Sequence, residues 1–119
     1  MLVAEILKGK GEAVFTLSPD ASLMEACAEL DRKRVGALIV LQGEAVLGVL
    51  SERDIVQAIS RDGPDALSRS VSHYMTTDVI FAKPAESVAV LMARMTDRRV
   101  RHLPVLRDSR LAGVVSIGD

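Results

Sequence analysis

One stretch of this chain is repeated in another, and that repeat limits the folds open to it. Adding 65 to the residue number lays 14–54 over 79–119 without a gap, and 13 of 41 positions are identical. The matches include Pro19/Pro84, Ser22/Ser87, Val35/Val100, Val40/Val105, Gly48/Gly113, Ser51/Ser116 and Asp54/Asp119. Unrelated segments rarely align so well without a gap, so the chain reads as two copies of one supersecondary unit.

Residues 14–17 form a short strand closed by Ser18-Pro19-Asp20, a turn signal. Ser22-Leu23-Met24-Glu25 fits a capping box, and Leu23, Ala26, Cys27 and Leu30 follow on one helical face. Residues 36–41 and 45–50 make a strand pair around Gln42-Gly43-Glu44. Ser51-Glu52-Arg53-Asp54 then opens a helix whose Ile55, Val56 and Ile59 are expected to face the core. The second copy repeats this, with a strand over 79–82, a helix carrying Val88, Leu91, Met92 and Met95, and a hairpin over 103–106 and 111–115. The reading is α/β (α+β): two tandem β-α-β-β-α units with small sheets packed against helices. The expected division is 1–65 and 66–119, and the helix that would close the second unit falls beyond Asp119. Ahead of the repeat, residues 3–7 suit a helical turn and Lys8-Gly9-Lys10-Gly11 a basic bend.

Composition narrows the class. Apolar residues make up 49% of the chain, yet there is no Trp, one Tyr and two Phe, so the core must be aliphatic. No apolar run is long enough for a membrane span, and no secretory signal is expected at Met1-Leu2-Val3. A lone cysteine, Cys27, suits a reducing, cytoplasmic setting. The net charge of −1 gives no reason to expect nucleic-acid binding. Its distribution is uneven: residues 14–54 carry −3 and residues 79–119 carry +3, so the second copy should attract an anion more strongly.

The twofold unit, its Gly-apolar-apolar-Ser-x-x-Asp endings and the Met75-Thr76 entry resemble a pair of CBS domains, a Bateman module. Ser51-Glu52-Arg53-Asp54, Arg101-His102-Leu103-Pro104-Val105 and Ser116-Ile117-Gly118-Asp119 are similar to the small stand-alone bacterial members. That resemblance implies two units related by a pseudo-twofold, with clefts that take adenosine-containing ligands such as AMP, ATP, NAD or S-adenosylmethionine. It also implies a homodimer and a regulated protein partner.

The site residues follow from both lines. Ser116 and Asp119 combine a hydroxyl, helix-start N–H groups and a carboxylate, an arrangement suited to phosphate; the resemblance gives the Asp to the ribose hydroxyls. The same pattern is also a plain helix cap. Arg101 suits a phosphate, and His102 either stacks on adenine or is structural. Leu103 and Pro104 border the same place, and Pro104 has no N–H for the ladder. Thr76, Thr77, Asp78, Val79 and Ile80 are assigned to this second-copy site by the resemblance. In the first copy the matching set is Ser51, Asp54, Gly36 and Ala37, with Lys8, Lys10 or Arg53 supplying positive charge. Cys27 reads as a buried thiol, and Met24, Met75, Met92 and Met95 as core filler. No metal-ligand spacing, nucleophile–base arrangement or paired-carboxylate signature appears, so no catalytic residue or catalytic cofactor is expected. The expected function is a non-catalytic nucleotide-binding regulatory module; the alternative is a dimerising scaffold with vestigial clefts.

Overall fold

The computed structural model describes residues 1–10 and 14–116. The chain divides into two compact units, Phe15–Val79 and Met1–Val14 with Ile80–Asp119. This differs from a cut after residue 65. The opening helix, α1 (Val3–Lys10), groups with the second copy because Val3 and Leu7 are buried in that copy's core. Backbone bonds fix it there: Val3 N–H donates to the Glu86 carbonyl (2.9 Å) and Val88 N–H to that of Met1 (2.9 Å). Lys8, Gly9 and Lys10 are helical rather than a bend. Packing of Val3 and Leu7 outweighs the roughly 1 kcal/mol that a helical glycine costs.

In the unit Phe15–Val79, β1 (Thr16–Leu17) lies parallel to β2 (Ala37–Gln42), which pairs antiparallel with β3 (Ala45–Ser51). Between the first two strands runs α2 (Leu23–Lys33), capped by the Ser22 hydroxyl, which accepts from the Glu25 N–H at 3.1 Å. After β3 comes α3 (Glu52–Asp62), followed by 3-10 turns at Gly63–Ser68 and Val71–His73. Leu23, Ala26, Leu30, Leu38, Val40, Leu50, Ile55 and Ala58 form the core, joined by Ala66 and Val71 from the connecting segment. Val71 N–H donates to the Ala21 carbonyl at 2.7 Å, which is why this segment groups with the first copy.

The other unit repeats the design with α4 (Val88–Arg98), β4 (His102–Arg107) and β5 (Arg110–Ser116). Both hairpins shift register at the same repeat position, between Val40 and Leu41 and between Val105 and Leu106. The helices also end alike, on Arg34 and Arg99 with φ of 56° and 55°. The expected strand over 79–82 is reduced to one parallel bridge, Ala82 to Val105. In the first copy Ile39 N–H donates to the Phe15 carbonyl at 3.1 Å. Its counterpart is Pro104, which has no N–H to give to Ile80.

Two helical faces are narrower than the apolar pattern suggests. On α3 the buried residues are Ile55 and Ala58, while Val56 is 66% and Ile59 40% exposed. On α4 Leu91 and Met95 are buried, but Met92 is exposed. A helix lying on a two- or three-stranded sheet buries one stripe, and residues about 100° round from it stay outside. Met24 is exposed for the same reason, so of the four methionines read as core filler only Met75 and Met95 pack inward.

Candidate functional site

The hairpin β2–β3 ends where α3 begins, and this junction holds the best-defined polar cluster. Ser51 is the N-cap of α3, and Asp54 returns the capping-box bond. Asp54 Oδ2 accepts from Ser51 N–H (2.9 Å) and Ser51 Oγ–H (3.1 Å), and Asp54 Oδ1 accepts from Thr76 Oγ1–H (3.1 Å). Gly36 and Ala37 complete the neighbourhood: Glu52 N–H donates to the Gly36 carbonyl (3.1 Å), and Ala37 pairs with Ser51. The structure therefore brings together Gly36, Ala37, Ser51 and Asp54 as the sequence suggests. It adds Thr76, which was assigned to the other copy.

Thr76 is delivered from 22 residues away by two devices. Tyr74 Oη–H donates to Asp62 Oδ2 (2.7 Å), Arg69 Nη1–H donates to Tyr74 Oη (2.9 Å), and Arg69 Nη1 forms an ion pair with Asp62 Oδ2 (2.9 Å). This triad ties the connector to the last turn of α3. Thr76 then exchanges two backbone bonds with Val49, at 3.0 and 2.9 Å. Close passage depends on Gly48, where a Cβ would stand 2.7 Å from the Thr76 carbonyl oxygen. Nothing in the spacing of Asp62, Arg69 and Tyr74 announces the triad, because connector turns carry no hydrophobic period.

The second-copy set is divided between the units. Thr76, Thr77, Asp78 and Val79 lie in Phe15–Val79, whereas Ile80, Arg101, His102, Leu103, Pro104 and Ser116 lie in the other unit. There His102 pairs with Ser116 across β4 and β5, the equivalent of Ala37 with Ser51. Arg101 is exposed just before β4, while Leu103 and Pro104 are buried. The Pro104 carbonyl accepts from Ala82 N–H at 2.9 Å. Asp119 lies outside the described residues, and so does the side chain of Lys10, whose backbone closes α1. Arg53 is exposed on the first turn of α3.

With the repeat, its capped helix starts and its paired hairpins established, comparison with known proteins settles the family. The family model described as "CBS domain" matches residues 4–61 and 71–119. The chain belongs to the CBS-domain family. This CBS pair is similar to the CBS-domain protein ATU1752 from Agrobacterium tumefaciens, with 39% identity, a TM-score of 0.97, and 99% of this chain and 94% of that one covered. It is 32% identical to the mitochondrial CBS domain-containing protein CBSX3 of Arabidopsis thaliana over 98% of its own length and 61% of that protein's. It thus spans less than two thirds of that relative. The CBS domain pair of protein MJ0100, in complex with 5′-methylthioadenosine and S-adenosyl-L-methionine, has the same fold (24% identity, TM-score 0.86, 98% of this chain and 89% of that chain).

Other features of the CBS pair lie apart from this cluster. Cys27 is half-buried beside the first core, and burial pushes its thiol pKa up. Among the described residues no group of His, Cys, Asp and Glu is placed to hold a metal ion, and no helix is long and apolar enough to cross a membrane. A recess of about 490 Å3 lined by Arg107, Asp108, Arg110, Leu111 and Ala112 opens at the turn of the β4–β5 hairpin. That is the opposite end of the hairpin from His102 and Ser116.

Proposed function

We propose that this CBS pair is a non-catalytic regulatory module that binds an adenosine-containing nucleotide at its Ser-x-x-Asp helix starts. The observation that carries the reading is the Ser51–Asp54 junction. A half-buried carboxylate at the first turn of α3 stands beside the small residues Gly36 and Ala37, which leave room for a ligand. In the second copy Ser116, Arg101 and His102 occupy matching positions with a more positive surround, and Asp119 completes the pattern in sequence. The adenosine ligands of the MJ0100 pair support the ligand class. AMP, ATP and NAD are the finer candidates. Regulation requires the ligand to bind two states of the protein unequally.

The test is calorimetric titration of the protein with AMP, ATP, NAD and S-adenosylmethionine. Micromolar binding that is lost in Asp54→Ala, Asp119→Ala or their combination establishes the reading. Absence of binding by every ligand to folded, nucleotide-free protein overturns it. The second reading, a dimerising scaffold, is favoured by the exposed Met24, Val56 and Ile59 of one unit and Val90 and Met92 of the other. Sedimentation measurements test it, since Val56→Ser and Ile59→Ser would then shift a dimer towards monomer.

A further inference from the structure

The Asp54 carboxylate is already largely occupied. An ionised carboxylate offers about four lone-pair positions. Two on Oδ2 are taken by Ser51 N–H and Oγ–H, and one on Oδ1 by Thr76 Oγ1–H. The Ser51 bonds belong to the helix cap and persist as long as α3 starts at Glu52. The Thr76 bond belongs to neither the cap nor the sheet. Thr76 is held by its backbone to Val49, and its residue is exposed, so its hydroxyl can leave Asp54 by rotation about χ1 alone. A ligand offering one hydroxyl fits the remaining position on Oδ1. A vicinal diol needs two.

Resting on the nucleotide reading above, we infer that Thr76 is a specificity-determining residue of the Asp54 site. Its hydroxyl occupies the position that the second hydroxyl of a ribose requires, so a diol gains one new bond to Asp54 and replaces another. Thr76 thereby narrows the preference for ribonucleotides over deoxyribonucleotides. The hydroxyl takes no part in the backbone pairing of Thr76 with Val49, and in an exposed residue it returns to water when displaced.

The experiment compares AMP with 2′-deoxy-AMP by calorimetry, in the full chain carrying Asp119→Ala so that only the Asp54 site is read. Thr76→Val keeps the shape and removes the hydroxyl, and Thr76→Ser restores it. Removing a competing bond to a charged group should tighten AMP roughly five- to tenfold in Thr76→Val. The affinity for 2′-deoxy-AMP should stay within about twofold, the change expected when no hydrogen bond is exchanged. Thr76→Ser should behave like the parent. An unchanged AMP to 2′-deoxy-AMP ratio, or equal weakening of both, overturns the inference while Asp54-dependent AMP binding leaves the nucleotide reading standing. If neither nucleotide binds the parent or Thr76→Val, the nucleotide reading of this site fails, and the role of Thr76 fails with it.

Discussion

Gly48 and Gly113 occupy the same position of the repeat, yet each is pressed by something different. A Cβ on Gly48 would meet the Thr76 carbonyl oxygen at 2.7 Å and Met75 Sδ at 2.9 Å. On Gly113 it would meet Leu7 Cδ2 at 2.6 Å. One copy uses the glycine to admit a backbone, the other to admit the tip of a helical side chain. The repeat therefore conserves a gap, and each unit fills it with a segment that lies outside the repeat. In the first copy that filling segment carries Thr76 to Asp54. In the second it is α1, which adds buried area to a sheet that Pro104 has shortened.

Removing either filler should break the comparison in a different way. Leu7→Ala takes a fully buried anchor from the second unit and should destabilise it by about 3 kcal/mol in urea unfolding. A loss below about 1 kcal/mol would mean that α1 is not part of that core. Gly48→Ala should cost about 2 kcal/mol, because backbone must shift, and Gly113→Ala about 1 kcal/mol, because Leu7 can change rotamer. The Leu7→Ala/Gly113→Ala double variant should lose less than the sum of its parts, since each change makes room for the other. Equal costs for Gly48→Ala and Gly113→Ala would erase the distinction.

A smaller difference lies in the loop before α4. Arg94 Nη1–H donates to the Phe81 carbonyl (2.8 Å) and Glu86 Oε1 (3.0 Å), and Lys83 N–H donates to the same Oε1 (2.8 Å). The first copy has Glu29 and Ala21 at these repeat positions and cannot form the clip. The hydrogen-bonded Arg94 guanidinium holds the Glu86 carboxyl below its ordinary value, against the opposing pull of desolvation. Because the folded value is the lower one, this stabilisation is complete above the ordinary carboxylate range. It is lost as pH falls through the folded value. Glu86→Gln should cost about 0.5–1 kcal/mol at neutral pH, discounted for partial exposure, and should flatten the acid limb of stability. An unchanged acid limb would show that the clip contributes nothing.

Much of the architecture was legible. Ser22 announces a helix start and accepts from the N–H three residues on, and its repeat partner Ser87 does the same. The hairpins were legible because apolar runs flank short polar turns, which the structure tightens to Gly43-Glu44 and Asp108-Ser109. The helix faces were legible only in part. Val56, Ile59 and Met92 satisfy an apolar period, but the width of the buried stripe depends on how much sheet lies beneath it. In the first-copy cluster Ser51 and Asp54 could be read locally, since they are three residues apart, and Gly36 and Ala37 from their places in the repeat; Thr76 could not.

By itself the sequence determined the repeat, its elements, the capped helix starts and the family, because these rest on local spacing and on positions that match at a fixed offset of 65. Tertiary structure decided which copy each flanking segment serves. Residues 66–79 close the first unit and α1 closes the second, contrary to their order along the chain. The reason is that both copies keep a gap over a strand glycine, and which segment fills it depends on long-range packing that no local period encodes.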